Sequence, residues 1–320
     1  MRLRVGTFNL NNLFSRYNFA TEVDALVGGD AEIEVSTTFD PSDPSRIKLR
    51  TYQGRLVKGK SAQDRQRVAD RIAAIDCDVL AVQEVEDVDT LQRFARDDLA
   101  SSGYRYVVLV EGNDPRLIDV GLVSRLPIGA VTSWRHAVHP ADPGLPVFGR
   151  DLLEVEILND SRSRRLLTVF NNHLKSHFVP FTEDPSVGAE RANQRRQQQA
   201  ETAAQIIEAR TRPDSPFVVV GDMNDPPESS QLRALVDGLV NGMAEAVESR
   251  PAPADDPPAP PRPWTHRFKE TGQPADYELF DHVWLSPALS DDLLDARIDR
   301  RTRLGGDGSD HDPAWVDLSR

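Results

Sequence analysis

Apolar residues along this chain fall into short runs that end on polar ones, and the clearest is Phe217-Val218-Val219-Val220. Four bulky residues, three of them β-branched, predict a strand buried on both faces. It stops at Gly221 and presents Asp222 and Asn224, which an extended chain puts on the same side. Pro226-Pro227 closes the segment, and Gly-Asp-x-Asn alone describes a polar turn as well as a reactive one. Residues 3–10 alternate and run into Asn9 and Asn11, two carboxamides on one side of the chain. Ser61-Ala62-Gln63-Asp64 fits a capping box, and Val68, Ile72 and Ile75 follow at helical spacing, predicting a helix over residues 61–76. Val79-Leu80-Ala81-Val82 is a second buried strand; it delivers Gln83 and Glu84 and precedes a helix over residues 87–100.

Residues 104–110, 118–124 and 128–134 read as three successive strands, a meander rather than a βαβ series. Residues 152–158 and 166–170 form a hairpin whose second strand leads into Asn171-Asn172-His173-Leu174-Lys175. A helix over 189–211, with Ala192, Ala200, Ala203 and Ile207 on one stripe, precedes the Phe217 strand, and a shorter one over 229–238 follows it. Residues 279–286 and 314–318 are the last strands, separated by the basic run 297–303 and a glycine-rich turn through Ser309-Asp310-His311. Residues 15–60 lack pattern and 249–263 hold seven prolines, so both are expected as surface insertions in a single domain spanning 1–320.

Composition narrows the chemistry. The 38 Lys and Arg against 51 Asp and Glu give a net charge of −13, which argues against gripping polyanions by bulk neutralisation. A phosphate substrate would need metal ions or local Arg clusters. The one cysteine, Cys77, excludes an internal disulfide and a cysteine-rich zinc site, and its apolar surroundings mark it as core. No run approaches the roughly 18 apolar residues of a membrane span, and a first strand at Leu3 leaves no room for a signal peptide. The expectation is a monomeric cytoplasmic protein, with a secreted mature form left open.

Six polar clusters stand at strand ends or starts: Asn9, Gln83-Glu84, Asn171 to His173, Asp222 with Asn224, Asp281-His282 and Ser309-Asp310-His311. In a mixed sheet one edge collects ends of some strands and starts of others, so all six can line one rim. Hard oxygen donors with few nitrogens and no thiolates favour Mg2+, Mn2+ or Ca2+ over zinc. Carboxylates, two histidines and amides suit hydrolysis of a phosphate ester.

The set Thr7-Phe8-Asn9, Gln83-Glu84, His173-Leu174, Gly221-Asp222-Met223-Asn224, Asp281 and Ser309-Asp310-His311 closely resembles the endonuclease/exonuclease/phosphatase superfamily. The likeness spans nearly the whole chain, in family order. His173-Leu174-Lys175-Ser176 and the Arg- and Gln-rich helix after it look most like the bacterial nuclease branch related to pancreatic-type deoxyribonuclease and the mycoplasma membrane nuclease. The resemblance implies a four-layer α/β/β/α sandwich with two mixed sheets face to face and helices outside. It implies Glu84 as principal metal ligand, with Asn9 beside it and Asp310 completing the site. Asp222 would orient or deprotonate water, Asn224 would hold a phosphate oxygen, Asp281 would fix His311, and His173 would donate to the phosphate or leaving oxygen. Asn11 stands where abasic-site endonucleases carry an aspartate, and His173 where they carry a tyrosine, which speaks against abasic-site repair.

Arg150, Lys175, Asn171 and Arg301 are the candidates for substrate contact; the run holding Arg297, Arg300, Arg301 and Arg303 reads either as a solvated face or as a phosphate-backbone contact. His136, His139, His177 and His266 read as ordinary surface or loop residues, and His282 as a packing position. The first functional reading is a metal-dependent phosphodiesterase, a nuclease acting on DNA with little sequence preference. The second is a phosphatase or sphingomyelinase-like phospholipase, which calls for an exposed aromatic or aliphatic hairpin that the sequence does not display. The third, a non-catalytic binding module, would lack one or more of Glu84, Asp222 and His311; all are present.

Overall fold

Alternation at the N-terminus builds the strand β1 (Arg2–Leu13), and the capped helix α1 (Ala62–Ile75) carries the chain to β2 (Val79–Val85), parallel to β1. The computed structural model describes residues 2–15, 51–52, 55–56, 60–179 and 182–320, so the insertion expected over 15–60 lies almost wholly outside the described residues. Next come α2 (Val88–Asp97), β3 (Tyr106–Leu109), β4 (Asp119–Ser124), β5 (Ile128–Ser133), β6 (Leu152–Leu158) and β7 (Arg165–His173). The long α3 (Pro185–Arg210) then crosses to β8 (Phe217–Asp222), parallel to β7. The chain ends through α4 (Arg233–Val236), β9 (Val240–Asn241), β10 (Val247–Glu248), β11 (Asp281–Leu285), β12 (Leu293–Ile298) and β13 (Ala314–Ser319).

Two mixed sheets result, seven strands in the order β10-β12-β13-β1-β2-β4-β3 and six in the order β9-β11-β8-β7-β6-β5. Each is centred on one parallel pair joined through a crossover helix, β1-α1-β2 and β7-α3-β8. Period-two alternation sorts the apolar residues into three layers. Val5, Val79, Leu122, Val155, Val169, Val218 and Val220 meet between the sheets. Phe8, Leu80 and Val82 face Val68, Ile72, Leu91 and Phe94 of the first two helices. Phe170, Phe217 and Val219 face Ala200, Ala203 and Ile207 of α3. The fold is a four-layer α/β/β/α sandwich, in which each fully buried valine contributes roughly 1.5–3 kcal/mol.

Four expectations about elements need correction. β5 is not the third strand of a meander; it leaves the β3–β4 sheet and pairs with β6 in the other one. The cause is local: Ser124 Oγ accepts from Leu126 N (3.0 Å), donates to Leu126 O (2.8 Å), and Pro127 has no N–H for a continuing ladder. β12 was hidden by the basic run that overlaps it; its Ala296 and Ile298 alternate into the core between the sheets. The third helix starts at Pro185, before residue 189, because Asp184 accepts from the N–H groups of Ser186 (2.9 Å) and Val187 (3.2 Å) ahead of a proline suited to the first turn. Of the helix expected over 229–238 only α4 forms. Residues 250–264 carry no helix or strand, as their prolines predict, and Cys77 is buried. Among the described residues no helix is long and apolar enough to cross a membrane.

Candidate active site

Register brings the polar strand ends together. His173 of β7 stands opposite Asp222 of β8, Asp222 opposite Asp281 of β11, and Asn9 of β1 opposite Gln83 of β2. At Gly221 φ is +131° and an added Cβ would lie 1.9 Å from the Asn172 carbonyl oxygen, so only glycine allows the two strand ends to approach. Glu84 is aimed by an irregularity: pairing of β2 with β4 shifts register between Val82 and Val85, and Glu84 takes φ +60°. Asn11 and Asn12 (φ +46° and +59°) make a matching break in β1, and the Asn12 N–H donates to Glu84 Oε2 at 3.0 Å.

The centre is a chain of acids and imidazoles. Asp281 Oδ2 accepts from His311 Nδ1 at 2.6 Å, and Asp281 is itself held by Thr265 Oγ1, which accepts its N–H at 3.0 Å. His311 Nε2 therefore faces Asp222 Oδ2 across 3.8 Å, and His173 Nε2 faces the same oxygen across 3.5 Å, both beyond normal hydrogen bonding. Asp222 is fixed by amides, Asn9 Nδ2 on one oxygen and the Asn224 N–H on the other, each at 2.9 Å. Ser309 Oγ donates to Asn9 O (2.7 Å) and accepts from His311 N (3.0 Å), joining the last turn to the first strand.

Protonation follows from these neighbours. Burial works against a charged His311, but the carboxylates of Asp281 and Asp222 outweigh it and hold the imidazolium well above its ordinary range. Burial, then the charges of Arg150 and His311, push His173 well below its ordinary range, so it stays neutral. Burial raises Asp222 to about 7 against the pull of His311. Glu84 is raised by burial and then by the charge of Asp310, whose own side chain is 49% exposed.

Eight of the proposed residues converge here: Asn9, Glu84, His173, Asp222, Asn224, Asp281, Asp310 and His311. Arg150 is buried beside them, with NH1 3.4 Å from Leu174 O, and Lys175 lies at the rim. Two candidates for substrate contact are placed elsewhere. Asn171 is a buried tie between the sheets; its Nδ2 donates to Gly121 O (2.8 Å) and Val82 O (3.2 Å) and its Oδ1 accepts from Gln83 (2.8 Å). Arg301 is 1% exposed and bonds Asp312 (3.2 Å), Thr265 O (3.1 Å) and Asp310 O (2.8 Å). Arg300 is buried too, 3.9 Å over the Trp264 ring, so the basic run is neither a solvated face nor a phosphate contact at these two positions.

Two histidines taken as ordinary belong to the rim. His266 forms a bridge with His311, its ring 4.8 Å away, and its Nε2 is 3.9 Å from Asp310. His177 bonds Asn224 O (2.7 Å) and pairs with Asp225 (2.9 Å); both rings stack on Phe280. His266 opens a short strand, His266–Phe268, paired with Asp276–Glu278, and His177 lies in a loop; the polar neighbours of both hid them in the sequence. His282 is a packing residue as expected, bonded to Leu279 O and Trp284.

A sequence model described as the Endonuclease/Exonuclease/phosphatase family matches residues 6–311. The chain belongs to this family. No curated protein matches it. Among solved structures it is similar to the catalytic domain of human nocturnin (15% identity, 99% of this chain and 94% of that one, TM-score 0.59). It is also similar to an AP endonuclease from Archaeoglobus fulgidus (16%, 99% and 100%, TM-score 0.57) and a mannosyl-6-phosphatase from Bacteroides thetaiotaomicron (15%, 99% and 100%, TM-score 0.55). At these identities the likeness is one of fold. The family consists of phosphoric ester hydrolases, generally dependent on a divalent metal.

The donors present fit such a cation. Glu84 meets amides and the repelling charge of Asp310, an arrangement that a hard cation would relieve. A second grouping, His266, Asp310 and His311, has ligand atoms within 4.8 Å of one another. It fits less well, because Asp281 keeps His311 protonated and an imidazolium nitrogen has no lone pair for a metal.

Proposed function

We propose that the chain is a divalent-metal-dependent phosphodiesterase that hydrolyses DNA with little sequence preference, within the nuclease branch that its helix-preceding motif resembles. The observation that carries this reading is the Asp281–His311 pair aimed at Asp222, with neutral His173 beside it and the Glu84–Asp310 carboxylates adjacent. Glu84, Asp310 and the side-chain oxygen of Asn9 would hold Mg2+, with Mn2+ or Ca2+ as substitutes, which when bound neutralises phosphate charge.

Asp222, poised at about 7, accepts the proton of the attacking water as its oxygen bonds to phosphorus. His311, kept charged by Asp281, gives a hydrogen bond to the phosphoryl oxygen. His173 sits across Asp222 and gives a hydrogen bond from its neutral N–H to the leaving oxygen as the ester bond breaks; that oxygen departs as an alkoxide and takes its proton from solvent water. Asn224 spends its N–H on Asp222 and one amide proton on Leu174 O (3.1 Å), which leaves the other for a phosphate oxygen.

One observation favours a phospholipase as the second reading. The hairpin of Val138–His139 and Asp142–Pro146 exposes Val138 and Leu145, an apolar hairpin that the sequence did not display, and exposed Phe178 lines one cleft with the hairpin's Ala141 and Asp142. The deciding experiment incubates purified protein with supercoiled plasmid, with p-nitrophenyl phosphate and with sphingomyelin vesicles, each with Mg2+ or Mn2+ and with EDTA. Metal-dependent nicking, lost in Glu84→Ala, is the expected result; turnover of the monoester or lipid without nicking reverses it.

A further inference from the structure

Beside the catalytic rim lies a cleft of about 830 Å3, between α3 and the segments 114–116 and 175–178. That volume is far more than one phosphate needs and falls in the range of roughly 300–1,000 Å3 that holds a drug-sized ligand. Five lining side chains are basic, Arg116, Arg150, Lys175, Arg191 and Arg195, against the carboxylates of Asp114 and Asp142. In a chain of net charge −13 this is a local reversal of sign.

Most of these cations are held by shared or neutral partners. Arg116 (2.9 Å) and Arg150 (3.4 Å) share the single carboxylate of Asp114. Arg150 is 4% exposed, and its Nε, the atom that faces Asp114, has no hydrogen-bond partner among the described residues. Among the described residues Lys175 Nζ donates to the carbonyls of Ser176 (2.7 Å) and Phe178 (3.1 Å). Arg191 and Arg195, four apart on α3, present the outer wall together with Gln194 and Gln198. Arg191, 63% exposed, bonds both oxygens of Glu183, a surface pair that is weak in water, while the half-buried Arg195 donates to Pro146 O and stands 3.7 Å from Asp142.

Arg150 connects this cleft to the chemistry, since its charge acts on Glu84, Asp222 and His173 as well as on Lys175. We propose that the cleft is a second phosphate subsite for a polynucleotide strand. Lys175, Arg191 and Arg195 take a phosphate beyond the scissile one, while the glutamines bond sugar or base edges. The inference rests on the phosphodiesterase reading and sharpens it, because it makes an oligonucleotide a better substrate than a small diester. The same charges disfavour a choline lipid, whose quaternary ammonium is recognised by aromatic faces and not by a basic wall.

The test compares Arg191→Gln/Arg195→Gln with the unmodified protein on a single-stranded DNA 12-mer and on bis(p-nitrophenyl) phosphate, with Mn2+, across a NaCl series. The expected result is a KM for the 12-mer raised about five- to tenfold with kcat retained, and a loss at least several times larger than on the small diester. The slope of log KM against log [NaCl] falls by about 0.7 for each phosphate contact removed. Equal KM and equal salt slope in the two proteins overturn the subsite, as does faster cleavage of sphingomyelin vesicles than of the 12-mer. If the unmodified protein cleaves neither diester with metal, the parent reading fails and the subsite falls with it. Arg191→Gln alone, at an exposed position, carries the same readout should the double variant fold poorly.

Discussion

Two sets of buried charges meet at residues 310–312 and are satisfied in opposite ways. Behind the rim, Asp312 is fully buried and surrounded by guanidiniums: Arg71 at 3.1 Å, Arg301 at 3.2 Å and Arg300 at 3.7 Å. Asp299 beside it takes Arg71 at 3.2 Å and Arg250 at 2.7 Å. In front, Asp222 and Glu84 bond amides, and the imidazoles that face Asp222 stop short of it. The scaffold bonds its carboxylates directly to guanidiniums, whereas in the site the imidazolium that faces Asp222 is bonded to Asp281 instead. That difference marks which acids hold the fold and which are held for chemistry.

The comparison is broken most directly by His311→Ala. It should lower phosphodiester turnover roughly 10²–10⁴-fold in protein that is still folded at the assay temperature, with some loss of stability because Asp281 is left buried without its imidazole; turnover within about tenfold of the unmodified protein would move His311 into the scaffold. Asp312→Ala should do the reverse, removing about 3–5 kcal/mol of stability because three guanidiniums lose their shared countercharge. Urea titration measures it, and an unchanged midpoint would sink the distinction.

Asp119 sharpens the contrast, being buried with neither guanidinium nor imidazole on it. Its Oδ1 accepts from Gly112 N at 2.9 Å, its Oδ2 has no hydrogen-bond partner among the described residues, and burial raises it to about 7. A carboxyl raised in the folded state gives stability that is full below the unfolded value near 3.8 and is lost as pH rises through 7. The stability of Asp119→Asn relative to the unmodified protein should therefore grow by about 2–4 kcal/mol between pH 4 and 7 and stay level above. A difference independent of pH would contradict this. The smallest effect belongs to Ser61→Ala. Its hydroxyl accepts the Asp64 N–H at 3.1 Å to cap α1, so its loss should cost about 1 kcal/mol in chemical denaturation and leave turnover within about twofold. A larger fall in turnover would mean that the start of α1 helps to shape the site.

Much of this was legible beforehand. Phe217 to Val220 alternates between two apolar layers as a strand buried on both faces must, and Ser61, Val68 and Ile72 mark α1 to within a residue. Asp222, Asp281 and His311 were found because each follows or precedes an apolar run. Asn171 shows the limit of that logic: it too sits at a strand end, but its side chain turns into the sandwich and ties the sheets. Arg300 and Arg301 show another, since a basic run carries no local sign that Trp264 and Asp312 wait to bury it.

The sequence by itself determined most of the longer strands, the crossover helices and the residue types that end each apolar run, because burial of alternating side chains and helix capping are decided over a few neighbouring residues. Only the tertiary structure decided that Glu84 turns at φ +60° toward Asp310, that His266 joins His311, and that Arg150 stands between the rim and a basic cleft. Those outcomes depend on register between strands distant in sequence and on the field of charges gathered there, and neither is written in any local pattern.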